Sequence, residues 1–236
     1  MISVNKCLFC GEIVKEREVF CSKCRELIPP LAKTCCKICG HEHCRCSLSP
    51  HREYELDGIC ACYFYEGEVR RVVSRFKFSG GRFLGQGMGK LMAQRVQEVF
   101  PDISFDGICY VPTSLQHLVQ RGYNQAAVLA RAISRFTSVT VYDKILRKRV
   151  GVKTQHTLHA SERIKNVKDA YRITDPKRVY GKTLLLVDDV STTGATLREC
   201  AGELKGAGAA SVYAVCFSLT PNRLERKDGK FGDVKF

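Results

Sequence analysis

Two adjacent carboxylates, Asp188 and Asp189, come directly after the apolar run Leu184–Val187, and the hydroxyl-rich turn Ser191–Gly194 follows them. Apolar residues then recur at helical spacing, so the segment predicts a strand, a tight turn and a helix. Unpaired backbone amides at the start of a helix favour an anion. The acids would repel a phosphate, but they suit the vicinal hydroxyls of a ribose, directly or through hydrated Mg²⁺. The segment therefore predicts a site for a ribose 5-phosphate.

Two other interpretations compete for this segment. The simpler one is an ordinary helix cap at Asp189 or Ser191, beside an acid on the surface. The other is the Mg²⁺-binding strand of a nucleotide triphosphatase, which also requires Gly-x-x-x-x-Gly-Lys-Ser/Thr before a helix. That motif is absent, because Gly89-Lys90 is followed by Leu91 and Pro176 stands where the first glycine before Gly181-Lys182-Thr183 belongs. We therefore reject the triphosphatase.

The first part of the chain has the cysteine spacing of zinc sites. Eleven of the 14 cysteines lie within residues 1–62, which in a cytosolic chain indicates metal binding rather than disulfides. The predicted ligands form two groups of four: Cys7, Cys10, Cys21 and Cys24, and then Cys36, Cys39, Cys44 and Cys46. The second group is less regular, and Cys35, His41 and His43 are competing ligands. Four thiolates leave no position for water, so we expect one or two structural Zn²⁺ ions.

Composition and charge limit the class of protein. A chain of 236 residues with 44% hydrophobic residues can bury a core, which excludes a largely disordered protein. No run approaches the roughly 18 apolar residues of a membrane-spanning helix. Because residues 1–7 also lack the apolar core of a signal peptide, we expect a cytoplasmic protein that reaches the inner face of the membrane through partners. The net charge of +14 favours an anionic partner, although a merely soluble basic surface is the simpler alternative.

Strands and helices alternate after residue 55, which predicts an α/β domain with a parallel sheet. We expect a cysteine-rich zinc module over residues 1–50, this second domain over 51–220, and a polar tail over 221–236. The predicted strands are Gly58–Tyr65, Ile108–Val111, Ala170–Ile173, Thr183–Val187 and Val212–Phe217. The predicted helices cover Val69–Phe76, with basic residues including Lys77 on its surface, and then Phe83–Phe100, Asn124–Phe136 and the segment from Gly194 to Gly206.

A family resemblance adds to these predictions. The segment Val187–Thr196 resembles the phosphoribosyl diphosphate (PRPP) motif of type I phosphoribosyltransferases. With the cysteine-rich head, the chain resembles the ComF/ComFC competence family, which includes GntX-like proteins. The further segments that carry this resemblance occur in the order Arg75–Gly80, Val111–Pro112, Arg121–Gln125, Thr154–Gln155 and Arg163–Val167. The expected fold is therefore a type I phosphoribosyltransferase fold with a small N-terminal zinc-binding module.

The resemblance implies a role for each matching residue. Asp188 and Asp189 would bind the ribose hydroxyls of PRPP and serve as the catalytic acids, with Mg²⁺ as the cofactor. The loop after the second predicted strand, Pro112 and Thr113, would bind the diphosphate and Mg²⁺. The 5-phosphate would be held by Thr192, Thr193, Gly194, Ala195 and Thr196, and the diphosphate would be reached by Arg121 and by Lys148 or Arg149.

Family membership implies uptake of single-stranded transforming DNA, with a DNA-uptake helicase as a partner. The alternative is an active phosphoribosyltransferase of nucleotide metabolism, and a third reading is a PRPP-sensing regulator of duplex DNA. Position 192 is threonine, where purine-salvage relatives carry an aspartate that assists the leaving base. No base-binding hood is readable either. PRPP binding is therefore better supported than transfer to a particular acceptor.

Overall fold

A computed structural model describes residues 5–16, 18–44, 46, 55–78, 81–149 and 170–222. Six helices lie in these ranges: α1 (Ser22–Leu27), α2 (Gly67–Lys77), α3 (Leu84–Val99), α4 (Leu115–Arg121), α5 (Gln125–Thr137) and α6 (Ala195–Gly206). The strands are β1 (Gly58–Phe64), β2 (Gly107–Tyr110), β3 (Leu146–Lys148), β4 (Tyr171–Ile173), β5 (Thr183–Ser191) and β6 (Ser211–Leu219). Short 3₁₀ turns cover Gly81–Phe83 and Pro176–Arg178.

The main sheet has four parallel strands in the order β1-β6-β5-β2. Its central strand β5 is apolar because it is covered on both faces, and Leu184–Val187 are at most 2% exposed. Helices follow β1, β2 and β5 along the chain, which provides the crossover connections that parallel strands require. The predicted parallel α/β sheet is confirmed.

Helices α3 and α5 pack closely because α3 carries glycines where α5 crosses it. A Cβ at Gly89 would lie 2.3 Å from the Ala132 Cβ, and one at Gly85 would lie 2.5 Å from the Val128 Cγ1. Helix α5 in turn packs on β2 and β5. This close packing sets where α5 begins, at the cap residue Asn124, beside the carboxyl ends of those strands.

The strands β3 and β4 form a separate antiparallel pair. The sequence predicted a strand near Ala170–Ile173, but its partner Leu146–Lys148 lies in a stretch with no apolar periodicity. Helix α4 was also not predicted, because none of its residues is buried and its sequence lacks a core-facing stripe. Strand β3 and helix α4 are therefore positioned by tertiary contacts, because their own sequences lack an apolar pattern that would predict them.

The cysteine-rich head shares its hydrophobic core with the sheet. Phe9 packs edge-on against Tyr63 of β1, with ring centroids 5.6 Å apart. The amide of Leu31 donates to the Cys62 carbonyl at 2.9 Å, and the amide of Ile59 donates to the Lys37 carbonyl at 2.7 Å. The head therefore packs along β1, at the edge of the main sheet. The proposed division into residues 1–50, 51–220 and 221–236 stays a prediction, and most of the tail lies outside the described residues.

Candidate functional site

Asp188 and Asp189 lie near the carboxyl end of β5, which continues to Ser191 instead of ending before the acids as predicted. Asp189 is 8% exposed and Asp188 is half-buried. The Asp188 Oδ1 accepts a hydrogen bond from the Asp189 amide at 2.8 Å, and the Asp189 Oδ1 accepts one from the Val190 amide at 2.8 Å. These bonds leave the Asp188 Oδ2 for another partner, whereas the Asp189 Oδ2 lies 3.2 Å from the Lys77 Nζ.

The Asp188 carboxyl is set up for a cation or a hydroxyl donor. Burial and the neighbouring Asp189 charge raise the pKa of Asp188 to about 8. Two acids this close cannot both remain charged at low cost without a positive partner. A hydrated Mg²⁺ would supply that positive charge and a ribose hydroxyl would supply a hydrogen-bond donor, so the two carboxylates fit the predicted ligand.

Lys77 also belongs to this site, although the sequence predicted that it would lie on the solvent-facing surface of its helix. Its Nζ lies 3.2 Å from the Asp189 Oδ2, and its side chain is 24% exposed. Burial lowers the pKa of Lys77, but the charge and hydrogen bond of Asp189, together with the charge of Asp188, outweigh burial and raise the pKa overall. The end of α2 is held here because the Tyr123 hydroxyl donates to the Phe76 carbonyl. Helical spacing alone gave no signal of this role, since the partner is 112 positions away along the chain.

Six predicted PRPP residues converge on one cavity of about 140 Å³. They come from the loop after β2, the end of α4, the end of β3 and the carboxyl-terminal part of β5, and they are Pro112, Thr113, Arg121, Lys148, Asp188 and Asp189. Lys148 is there and Arg149 is not: Arg149 lines a neighbouring cavity, and its Nε donates to the Tyr171 carbonyl at 2.9 Å. Of the two cations predicted to reach the diphosphate, Lys148 therefore lines this cavity and Arg149 does not.

Further polar residues of this cavity were missed by the sequence analysis, namely Ser114, His117, Asn124 and Gln125. The Asn124 Nδ2 donates to the Val111 carbonyl at 3.0 Å and so ties α5 to the loop after β2. Asn124 and Gln125 lie within the Arg121–Gln125 segment of the resemblance, which was the one signal that pointed to them.

The cavity contains buried donors with no protein acceptor. The Arg121 Nη1 donates to the Gln125 Oε1 at 3.3 Å, but the Arg121 Nε and the Gln125 Nε2 have no hydrogen-bond partner within the described residues. Leaving a buried donor unpaired costs about 1 to 3 kcal/mol. Anionic oxygen atoms in the cavity would satisfy both donors, which matches the expected diphosphate. Burial also lowers the pKa of Lys148, and an anion nearby would oppose that shift.

The predicted 5-phosphate turn lies at the same end of β5, outside the lining of this cavity. Gly194 caps α6 with φ +72°, a left-handed conformation that favours glycine. Thr192 and Thr193 are exposed, and Ala195 and Thr196 are half-buried. The Arg198 Nη2 donates to the Thr193 carbonyl at 2.8 Å. This arginine, which the sequence analysis did not select, adds positive charge to the start of the helix.

The two cysteine groups each bring four thiols together. Within each group, the Sγ atoms all lie within 4.8 Å of one another: Cys7, Cys10, Cys21 and Cys24 in the first, and Cys36, Cys39, Cys44 and Cys46 in the second. The Cys10 and Cys21 Sγ atoms are 3.7 Å apart. Zn–S bonds of about 2.3 Å in a tetrahedron require a separation of about 3.8 Å, so the arrangement can hold Zn²⁺.

Both groups use the same turn after the first pair of cysteines. Gly11 and Gly40 follow these pairs with φ +84° and +77°, and their amides donate to the carbonyls of Cys7 and Cys36 at 3.0 and 2.7 Å. Burial raises the pKa of the Cys7 thiol, but nearby backbone amides more than offset burial and lower it to about 7. Such amides favour the thiolate that a metal needs.

Cys35, one of the competing ligands, is not part of the second cluster. It is 4% exposed, and its Sγ accepts a hydrogen bond from the Arg95 Nη2 at 3.3 Å. The same Nη2 donates to the Ala32 carbonyl at 2.6 Å. Arg95 therefore joins the second half of the head to α3, which is a structural role.

Comparison with known proteins supports the fold class. Residues 120–235 match the family model described as the phosphoribosyl transferase domain. The DNA utilization protein YhgH of Escherichia coli O157:H7 is 28% identical over 195 residues, covering 80% of this chain and 85% of that protein. Competence protein F of Haemophilus influenzae is 28% identical and covers 86% and 92%. Competence protein ComFC of Bacillus subtilis is 26% identical and covers 78% and 77%.

This chain is a homologue of the ComF and ComFC proteins with a type I phosphoribosyltransferase domain. The expected resemblance to these proteins and the expected fold class are confirmed. No helix in the described ranges is long and apolar enough to cross a membrane.

Within the phosphoribosyltransferase domain, the described residues predicted to bind the ligand come from the loop after β2, the end of α4, the end of β3, the carboxyl-terminal part of β5 and the turn into α6. The Thr154–Gln155 and Arg163–Val167 segments of the resemblance lie outside the described residues. Position 192 is an exposed threonine, so the aspartate that assists the leaving base in purine-salvage relatives is absent there. The identity of an acceptor is therefore not encoded at position 192.

Proposed function

We propose that the phosphoribosyltransferase domain binds PRPP with Mg²⁺ at the carboxyl end of its parallel sheet. The observation that carries this proposal is the cavity shared by Asp188, Asp189, Thr113, Arg121 and Lys148. It combines acids for ribose hydroxyls with cations and unpaired donors for a diphosphate. Acids that suit the ribose and cations that suit the diphosphate therefore line the same cavity.

The residues have separate roles in this proposal. Asp188 and Asp189 accept hydrogen bonds from the ribose hydroxyls, and their charge favours the positive charge that develops on the ribose when the diphosphate departs. Arg121 and Lys148 bind the diphosphate oxygens together with the loop Pro112–Thr113. The turn around Gly194 binds the 5-phosphate through backbone amides. Mg²⁺, held by the acids and the diphosphate, would neutralise charge on the leaving group.

Calorimetric titration of PRPP with Mg²⁺ tests this site. We expect the double variant Asp188→Asn/Asp189→Asn to lose at least about tenfold in affinity, since the hydroxyl acceptors lose their charge. The matched control is Asp102→Asn/Asp175→Asn, which removes the same charge outside the cavity and should bind as the wild type does. Equal affinity of the wild type and the first variant would contradict the site assignment.

We further infer that PRPP binding serves the uptake of single-stranded transforming DNA, in the cytoplasm and alongside a DNA-uptake helicase. The names of the relatives and the net charge of +14 support this role. A gel-shift titration of single-stranded DNA across a salt series tests it. Affinity that falls steeply with salt is expected, because phosphate contacts release counterions. Affinity indifferent to salt would argue against a DNA-handling role.

Turnover is a second candidate, which the phosphoribosyltransferase domain itself favours. It is tested by following PRPP consumption with bases, nucleosides and single-stranded DNA. Consumption that requires one of them and is lost in Asp188→Asn/Asp189→Asn would establish an enzyme and identify its acceptor. No consumption across the panel, with PRPP binding intact, would leave a PRPP-binding protein without transferase activity.

A further inference from the structure

We call the 140 Å³ cavity of the proposed PRPP site the PRPP cavity. A second and much larger cavity, of about 980 Å³, opens beside it. It lies between α4 and α5 on one side and the β3–β4 pair on the other. It shares Pro112, Thr113, Ser114, Asn124 and Lys148 with the PRPP cavity, so ligands in the two would be neighbours. Its volume is typical of sites for ligands of drug or nucleotide size.

We call this space the basic cavity because its lining among the described residues has seven cationic side chains and no carboxylate. The cations are Arg82, Arg131, Lys144, Arg147, Lys148, Arg149 and Arg172. Arg131 is paired with Asp143 at 2.8 Å, but Lys144, Arg147 and Arg172 make no ion pair with any residue in the described part of the chain. The cavity therefore presents uncompensated positive charge.

Two of these arginines face each other across the strand pair. Arg147 of β3 lies directly opposite Arg172 of β4 in the antiparallel register, and both are exposed. Like charges in directly opposite positions destabilise a strand pair, and each of these strands is only three residues long. A bound anion between the two guanidinium groups would convert this repulsion into attraction.

The opposite wall of the basic cavity is apolar. Leu115 and Leu118 of α4 are 68% and 39% exposed, and no residue of α4 is buried. Tyr123 and Val128 extend this wall toward α5. An apolar wall facing a cationic wall fits a ligand with a planar apolar part and an anionic part, such as a base and its phosphate.

We propose that the basic cavity binds a nucleoside phosphate, with its phosphate between Arg147 and Arg172 and its base against α4. The chemistry is the same for a free nucleotide and for a nucleotide unit of a single strand. The proposal rests on the proposed function only in that the neighbouring ligand is PRPP. Because Lys148 is common to both cavities, occupancy of one changes the affinity of the other.

The test uses single charge reversals that preserve the fold. Arg147→Glu replaces a repelling cross-strand pair with an attractive one, so the strand pair gains stability while the cavity loses its anion clamp. Binding of dTMP is measured by calorimetry, and binding of a fluorescein-labelled eight-residue oligo(dT) is measured by anisotropy. We expect Arg147→Glu and Arg172→Glu each to weaken binding about tenfold or more. The matched control, Arg70→Glu on the exposed face of α2, should bind as the wild type does.

The outcomes separate this proposal from the proposed function. Titration of PRPP into Arg147→Glu should give wild-type affinity in the absence of nucleotide, because Arg147 does not line the PRPP cavity. Binding of dTMP that competes with the oligonucleotide identifies a free nucleotide as sufficient, whereas oligonucleotide binding alone identifies a strand. Wild-type protein that binds neither probe overturns the basic-cavity proposal, and so does equal affinity in Arg147→Glu. If the wild-type protein does not bind PRPP, the proposed function is overturned instead.

Discussion

The Lys77 ammonium and the Asp189 carboxylate form an ion pair, with Nζ and Oδ2 3.2 Å apart, at the edge of the candidate PRPP site. The pair neutralises one of the two adjacent acids and leaves Asp188 with a raised pKa. The site therefore carries one compensated carboxylate and one that is costly to ionise. Both features have consequences for stability and binding.

Removing the lysine should destabilise the protein. We expect Lys77→Met to lower the free energy of unfolding by about 2 kcal/mol, because Asp189 is left as a largely buried charge without its partner. Urea denaturation measures this, and Lys77→Met/Asp189→Asn should recover most of the loss. The control is the exposed pair Lys182–Asp106, where Lys182→Met should cost less than about 1 kcal/mol. Equal losses at the two pairs would contradict the buried role of Lys77.

Neutralising the other acid should stabilise the protein in the absence of ligand. The folded-state pKa of Asp188, about 8, lies above the ordinary value of 3.8, so the folded chain binds more protons between these values. Stability contributed by this group is therefore present at low pH and lost as pH rises toward 8. We expect Asp188→Asn to gain on the order of 2 kcal/mol at pH 8 and little at pH 4, as measured by urea denaturation at both values. A gain that is independent of pH would contradict the raised pKa.

The turn at Gly194 should be sensitive to an added methyl group. Gly194→Ala places a Cβ at φ +72° and 2.7 Å from the Arg198 Nη1, so we expect weaker binding of ribose 5-phosphate by calorimetry. Gly181→Ala is the matched control, because its φ is +69° and nothing lies within 4 Å of the added atom. Both variants should lose about 1 kcal/mol of stability. Similar ribose 5-phosphate affinity in the two would show that the turn does not hold the phosphate.

The cysteine clusters predict a metal content. We expect two Zn²⁺ per chain by elemental analysis, with Cys7→Ser and Cys36→Ser each lowering the content by one. Because Phe9 and Leu31 of the head lie in the core shared with β1, chelation should also lower the melting temperature of the chain. As a control, Cys109→Ser removes a buried thiol outside both clusters and should leave the zinc content unchanged. A content of one Zn²⁺ in the wild type would restrict the metal to a single cluster.

The sequence by itself determined the features that depend on neighbours along the chain. The acids, the turn at Gly194 and the helix after it lie within one strand–turn–helix unit. The first Cys-x-x-Cys pair of each cluster is followed directly by its own turn glycine, Gly11 or Gly40. The apolar runs predicted the four parallel strands because a strand buried on both faces needs a continuous apolar segment. Such signals are local, so residue type and spacing are sufficient to read them.

Tertiary structure alone decided which distant residues complete the site. Lys77 reaches Asp189 from another helix, Lys148 rather than Arg149 enters the cavity, and Arg147 meets Arg172 across a strand pair without apolar periodicity. These relationships join residues far apart in the chain, whose distances depend on how helices pack on the sheet. A charge pattern on one segment cannot report the charge that will face it, because that partner is brought there only when the whole core is assembled.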